Sequence, residues 1–261
     1  MSSVVQAQQL SLLREGRALL QNIGLALQAG ELLGIIGPNG AGKSTLLRLI
    51  AGIETPSSGA VLLHDLPLSA MSANERARHI AWLEQRPALH WPLPVHEVVA
   101  LGTLPFRHSE HEAALARRVD RALRESGTEA LAGRRVDTLS EGEKLLVHLA
   151  RVLAVESEVI LVDEPTSALD PRHQLRIMQV LESRAKAGVA VAAVLHDLAL
   201  AWRYCDRLLL LHEGRCLALG TPQEVLQAAL LQQAYGLQVD IDAARRQLQF
   251  HPEPDGKAPK R

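Results

Sequence analysis

Cysteine is scarce in this chain: Cys205 and Cys216 are the only two among 261 residues. They lack the paired spacing of a zinc site and give no disulfide framework, so free thiols buried in a reducing cytosol are expected. Long apolar runs are missing as well. The longest, Val189–Leu195 and Leu208–His212, have strand length and fall far short of the ~20 residues a membrane span requires. The opening MSSVVQAQQLSLL has no basic start followed by an apolar stretch, which argues against a secretory signal. Basic excess is absent too. A formal charge of −1 and a pI near 6.8 offer nucleic acid no electrostatic footprint. No internal repeat, low-complexity block or sustained heptad appears. The 47% of apolar residues suffice for a substantial core, in one elaborated domain or two small ones. The chain is expected to be soluble by itself, so at a membrane another polypeptide would have to hold it.

Local patterns order the chain. Residues 3–35 read as strand-rich, with turns at Arg14–Arg17 and at Gln28-Ala29-Gly30. Strands are expected at Glu31–Gly37, Ala60–Asp65 and Arg78–Gln85, and a helix at Ser44–Gly52. Pro87, Pro92, Pro94 and Pro105 then punctuate a stretch of loop and short helix. Glu110–Gly127 reads as an exposed amphipathic helix and Leu139–Glu156 as a second helix, so residues 86–156 look all-helical. Beyond them come the strand VILVDEP (Val159–Pro165), a helix over His173–Gly188, the strand GVAVAAVLHD, a helix near Leu198–Cys205 and the strand Arg207–Gly214. Strands flanked by helices in this order imply an α/β fold with a parallel sheet covered on both faces. GLQVDIDAARRQLQFHP suggests a small hairpin, and DGKAPKR is expected to be disordered.

The chemistry concentrates in GPNGAGKST, spanning Gly37, Pro38, Asn39, Gly40, Ala41, Gly42, Lys43, Ser44 and Thr45. Gly, four residues, Gly, Lys and Ser between a strand and a helix is a phosphate-binding template. Backbone N–H groups curl around a polyphosphate at a helix N-terminus, Lys43 adds a point charge, and Ser44 offers its hydroxyl to magnesium. The pattern predicts a bound nucleoside triphosphate. VILVDEP sets two carboxylates at the end of a buried strand. There Asp163 is suited to hold magnesium and Glu164 to polarise a water for in-line attack on the γ-phosphate. Adjacent acids on one strand point to opposite faces, so the two would not duplicate a role. In LSEGEK, Ser140 and Glu143 form the S-x-x-E pattern of a capping box. A cap alone explains it; a phosphate met by Ser140 and the Gly142 N–H is the functional alternative.

With these motifs in order, together with a lone Gln85 after a strand, SALD (Ser167–Asp170) and His196, the chain resembles the ATP-binding cassette family of transport ATPases. The likeness runs from residue 37 to 196, and the flanking strands extend it to about Gly236. It implies a P-loop NTPase, RecA-like core with an N-terminal antiparallel β subdomain in residues 1–85 and 157–236. A helical subdomain carrying the signature would occupy 86–156, and a hairpin with a tail 237–261. It further implies a head-to-tail dimer, with ATP between Gly37–Thr45 of one subunit and Ser140, Gly142 and Glu143 of the other. Gln85 would contact magnesium and the attacking water, His196 the γ-phosphate, and Asp170 would couple the two sites. Outside the resemblance, Gln85 is a polar strand end and Asp197 a helix cap.

Leu83–Gly102, EPTSALD and GTPQEVL…AYGLQVDI look closest to the ATPases of metal-chelate importers, which serve ferric siderophores, haem and cobalamin. The partners so implied are integral-membrane permease subunits, a second cassette (expected to be another copy) and, indirectly, a substrate-binding protein. Nucleic acid is not expected, and the location would be peripheral, on the cytoplasmic face of the inner membrane. ATPases for free metal ions or for export share these motifs. A soluble cassette acting on nucleic acid or ribosomes is the rival from another class, though such proteins normally carry two cassettes in tandem.

Three departures from the family pattern stand out. Glu141 stands where Gly is usual, and it would either point away from the nucleotide or slow closure of the dimer. Leu145 and Leu146 replace a polar pair. Near Leu12–Arg14 no aromatic is present to stack on adenine, which implies weaker base selectivity. Among lesser signals, His90, His96, His108 and His111 crowd the helical segment without a ligand pattern. Arg117-Arg118 and Arg134-Arg135 read as solvated faces. Trp82, Trp91 and Trp202 are expected to pack in the core or beneath loops, Trp91 having the best claim to an interface.

Overall fold

The computed structural model describes residues 3–85, 92–167, 169–242 and 246–251. Strands β1 (Ser3–Arg14) and β2 (Arg17–Gln28) pair antiparallel across a tight turn in which Glu15 and Gly16 both have positive φ. That turn carries the twist a two-residue hairpin needs. β3 (Leu32–Ile36) leads through the glycine-rich loop into α1 (Lys43–Ile50). β4 (Ser58–Leu63) and β5 (Leu66–Pro67) then join β1 in a four-stranded antiparallel sheet ordered β2-β1-β4-β5.

Next come α2 (Ala73–His79) and β6 (Ile80–Leu83). Between β6 and the next strand the described residues form helices, 3₁₀ turns and one isolated bridge, Pro94 to Arg135. The helices are α3 (Val95–Ala100), α4 (Glu112–Ser126) and α5 (Glu141–Leu153). The chain continues as β7 (Val159–Asp163), α6 (Pro171–Lys186), β8 (Ala190–Val194), α7 (Leu198–Tyr204), β9 (Arg207–His212) and β10 (Arg215–Gly220). It closes with α8 (Pro222–Val225), α9 (Ala228–Tyr235) and the hairpin β11 (Gln238–Asp242) with β12 (Gln247–His251).

The large sheet is ordered β10-β9-β3-β8-β7-β6, parallel throughout except for β10, which pairs antiparallel with β9. Its strands are apolar on both sides because each side faces a core. Leu33 and Ile35 of β3, Val159 and Leu161 of β7 and Leu209 and Leu211 of β9 pack with α1 and the antiparallel sheet. Their alternates Leu32, Ile36, Ile160, Val162, Leu208 and Leu210 pack with α3 to α7. Strand periodicity thus divides one sheet between two cores. The sheet-and-helix pattern expected from the sequence is the α/β fold found.

Two local readings of the fold, at Arg78 and at Arg118, need correction. The strand expected from Arg78 begins at Ile80, because Ser72 and Glu75 form a capping box that opens α2 and carries it to His79. β10, α8 and α9 had no counterpart in the sequence reading. Arg118 is not on a solvated face. It is paired with Glu110 at 2.6 Å and Glu156 at 3.1 Å and lies over the Phe106 ring at 4.2 Å. The Leu145-Leu146 pair is apolar for packing: Leu146 is buried in the helical-side core and Leu145 packs against it. Trp202 is buried and Trp82 lies against the other core, whereas Trp91, His90 and Pro87 lie outside the described residues, as does DGKAPKR. Among the described residues no group of three His, Cys, Asp or Glu could hold a metal ion, and no helix is long and apolar enough to cross a membrane.

Candidate functional site

The glycine-rich loop follows β3, the strand between β8 and β9, and two glycines set its course. Gly37 has φ 143° and a Cβ there would stand 2.1 Å from the Leu211 carbonyl oxygen. Gly42, with φ 99°, would bring a Cβ to 2.7 Å from Leu20 and 2.9 Å from the Leu19 carbonyl. Only glycine fits either place. Ala41 N–H donates to Pro38 O at 3.2 Å and Leu46 N–H to Gly42 O at 2.8 Å, closing the loop into the first turn of α1. Gly42 caps that helix without a side chain, which leaves the N-terminal N–H groups to an outside anion. Asn39 and Gly40 are exposed at the tip and Thr45 is half-buried.

Lys43 folds back along the loop, its ammonium donating to the carbonyls of Gly37 at 2.8 Å and Pro38 at 2.9 Å. It is buried, and that burial lowers its pKa against the pull of Glu164 and Asp163. Ser44 Oγ donates to Asp163 Oδ1 at 2.9 Å. Asp163 is 2% exposed, and desolvation pushes its carboxyl pKa up despite the Ser44 bond.

Strand alternation does not aim the second acid, which corrects the opposite-faces reading. β7 ends at Asp163, and Glu164 takes φ 51°, a left-handed conformation uncommon outside glycine. That turn sends its carboxylate between two side chains from other strand ends. Gln85 Nε2 donates to one oxygen, and His196 Nε2 lies 2.6 Å from the other. Lys43, Ser44, Asp163, Glu164, Gln85 and His196 are thus gathered at the carboxyl ends of β3, β6, β7 and β8, where open α/β sheets bind ligands.

Ser140, Gly142, Glu143 and Asp170 form a second group, and no hydrogen bond or ion pair joins it to the first among the described residues. Ser140 and Glu143 make a reciprocal capping box at the start of α5, the Ser140 N–H and Oγ both donating to Glu143 Oε2 at 2.9 Å. Those bonds lower the Glu143 pKa. Asp170 caps α6, accepting the His173 N–H at 3.1 Å and lying 2.6 Å from His173 Nδ1. The His173 ring in turn packs so close to Gly142 that a Cβ there would stand 2.7 Å away. His173 therefore ties Gly142 to Asp170, a link for which the sequence held no signal.

Glu141 is 83% exposed and pairs along its own helix with Lys144 at 2.7 Å. Where the stacking aromatic was missed, Leu13 stands 59% exposed at the end of β1. Asp197 caps α7 through bonds from Ala199 N at 2.8 Å and Leu200 N at 3.0 Å, as its spacing suggested. A cleft of about 930 Å³ runs between Pro38–Ala41, Arg17 and Arg215.

A family model described as ABC transporter matches residues 20–167. The hemin import ATP-binding protein HmuV of Pseudomonas aeruginosa is 44% identical, covering 96% of both chains. The protein of the same name from Bordetella pertussis is 41% identical, over 91% of this chain and 94% of its own. Among solved structures, cbiO1 of Clostridium perfringens, part of the ABC transporter complex cbiONQ, has 29% identity and a TM-score of 0.78, covering 90% of this chain and 97% of its own. The dimeric ABC transporter cassette MJ0796 has 27% identity and a TM-score of 0.75, covering 84% and 98%.

Proposed function

The chain belongs to the ABC transporter family, it binds ATP and is an ATPase, and from that premise we propose that it drives haem uptake. In this reading it is the ATP-hydrolysing subunit of an importer, peripheral on the cytoplasmic face of the membrane and bound to permease subunits. The cargo class is supported by the hemin import relatives, which match nearly end to end; they favour transport over a soluble cassette acting on nucleic acid or ribosomes.

The observation that carries the catalytic reading is the Glu164 carboxylate held between Gln85 and His196, beside Lys43, Ser44 and Asp163. ATP lies with its β- and γ-phosphates in the loop of Gly37–Thr45. Water attacks the γ-phosphorus in line, the bond to the ADP oxygen breaks, and Glu164 takes the proton of the water. Gln85 orients that water, and His196 donates to the γ-phosphate as charge shifts toward the leaving group. The hydroxyl of Ser44, the carboxylate of Asp163 and the amide oxygen of Gln85 are hard donors that suit magnesium. Bound there, magnesium supplies charge neutralisation of the phosphates.

Lys43 donates to loop carbonyls and Ser44 to Asp163. Nucleotide exchanges these internal bonds for phosphate contacts. Two copies meet head to tail, so Ser140, Gly142 and Glu143 of one cover the nucleotide on the loop of the other. Asp170 couples the sites through His173. The core of 1–85 and 157–236 and the helical part of 86–156 then move against each other as ATP closes the dimer.

A concrete test is to purify the Glu164→Gln variant, tagged, from solubilised membranes of its own cells. Recovery with a polytopic permease whose ATPase activity rises with a haem-loaded binding protein is the expected result. Recovery from the soluble fraction alone would overturn the transport reading.

A further inference from the structure

Phe106 ends the 3₁₀ turn Leu101–Phe106 that follows α3, and two guanidinium groups meet its ring. Arg118 of α4 stands over the ring at 4.2 Å and Arg78 of α2 at 5.5 Å. The two arginines come from different parts of the molecule. α2 is fastened to the large sheet: it runs straight into β6, and His79 Nδ1 lies 2.7 Å from Glu158 Oε1, just ahead of β7. From that helix Arg78 Nε donates to Pro105 O at 3.0 Å, and a terminal nitrogen donates to Ser109 Oγ at 3.3 Å. Arg118 holds the same turn from the helical side. It clasps both carboxylate oxygens of Glu110 at 2.6 and 3.0 Å and donates to Val155 O at 3.0 Å, just past the end of α5. The turn is also seated on the end of α5 directly. A Cβ on Gly102 would stand 2.0 Å from the Arg151 carbonyl oxygen and 3.1 Å from the Ala154 side chain.

From this geometry we propose that Arg78 is a positioning residue for closure of the ATP dimer. Through Pro105 and Phe106 it fixes the angle at which α5 presents its signature end to the partner copy. α5 is 13 residues long, about 20 Å, with Ser140 capping one end and the turn gripping the other. A rotation of about 5° at the gripped end therefore swings Ser140 by roughly 2 Å. That is several times the spread of about 0.5 Å within which a hydrogen bond to phosphate keeps its strength. Arginine suits the task, because its planar fork reaches a carbonyl and a hydroxyl while the cation stays near the ring. Gly37–Thr45 takes no part in these contacts. Opening the joint thus leaves nucleotide binding by one copy intact while the pairing of two copies weakens.

The proposal rests on the head-to-tail reading and is independent of the cargo. The test uses the full chain carrying Glu164→Gln, alone and combined with Arg78→Ala, Phe106→Leu or both. Sedimentation velocity over a concentration series in magnesium-ATP gives the dimer Kd, and calorimetric titration of magnesium-ADP gives the affinity of the single chain. Arg78→Ala is expected to raise the dimer Kd roughly tenfold, with the ADP Kd within about twofold of the parent. Phe106→Leu keeps an apolar side chain but loses the ring, and is expected to raise the dimer Kd about threefold or more. Both variants open one joint, so the double variant should exceed Arg78→Ala by less than about twofold. An unchanged dimer Kd in Arg78→Ala overturns the proposal, as does an equal loss of ADP affinity, and as do losses that multiply in the double variant. Should Arg78→Ala fold poorly, unchanged pairing in Phe106→Leu overturns it instead. A Glu164→Gln parent that stays monomeric in ATP would defeat the head-to-tail reading, and the proposal with it.

Discussion

His148 gives the fold an acid-sensitive point inside the signature helix. It sits in α5, 3% exposed, and its Nδ1 has no hydrogen-bond partner. Desolvation, with Arg151 adding repulsion one turn on, lowers its pKa from 6.5 to about 4. Above the unfolded value both states are neutral and His148 contributes nothing to the pH dependence. As pH falls through 6.5 the unfolded chain takes up a proton that the folded chain refuses, and stability declines until pH reaches about 4. At about 1.4 kcal/mol per pH unit, the total loss is on the order of 3 kcal/mol. Burial also raises the carboxyl pKa values of Glu31 and Asp163, so the quantity to read is the difference between wild type and His148→Leu. Urea unfolding followed by tryptophan fluorescence at pH 7.5, 6.0, 5.0 and 4.5 supplies it. The leucine variant is expected to gain on wild type by about 1.4 kcal/mol for each pH unit below the unfolded value. Parallel stability curves down to pH 4.5 would refute the reasoning.

Further outcomes follow from the site. Glu164→Gln should retain ATP binding while kcat falls at least ~10²-fold, since the proton acceptor is lost; an ATPase assay with a fluorescent-nucleotide titration reads both. Gly37→Ala puts a methyl 2.1 Å from the Leu211 carbonyl oxygen, so nucleotide binding should vanish while far-UV circular dichroism is kept. Wild-type affinity in that variant would contradict the loop geometry. Because Glu141 is exposed and turned toward Lys144, Glu141→Gly should change turnover less than about twofold; a clearly faster variant would instead show that Glu141 slows closure. With Leu13 where stacking would be sought, GTP should be hydrolysed within about tenfold of ATP, stacking on an aromatic being worth ~1–3 kcal/mol. Marked ATP preference would show that another group reads the base.

Much of the fold was legible because burial wrote it into periodicity. β3 and β8 are apolar throughout, β7 up to Asp163 and β9 between Arg207 and His212, as strands covered on both faces must be. The glycines at 37 and 42 and the capping box at 140 are local devices, and local chemistry is what a sequence displays. The convergence of Gln85, Glu164 and His196 became readable only through family resemblance, because three separate strand ends supply it. Illegible were features set by tertiary contact: the left-handed turn at Glu164, the paired and half-buried Arg118 and the His173 ring against Gly142. α8 and α9 escaped because four and eight residues are too few to establish a helical period.

The central claim is that ATP hydrolysis at Glu164 powers haem uptake. Its most direct test is growth of the chain's own cells, deleted for its gene, on haem as the only iron source. The account predicts that the wild-type gene restores growth and that Glu164→Gln, made to the same level, does not. Growth of the deleted cells on haem, or full rescue by Glu164→Gln, would contradict it.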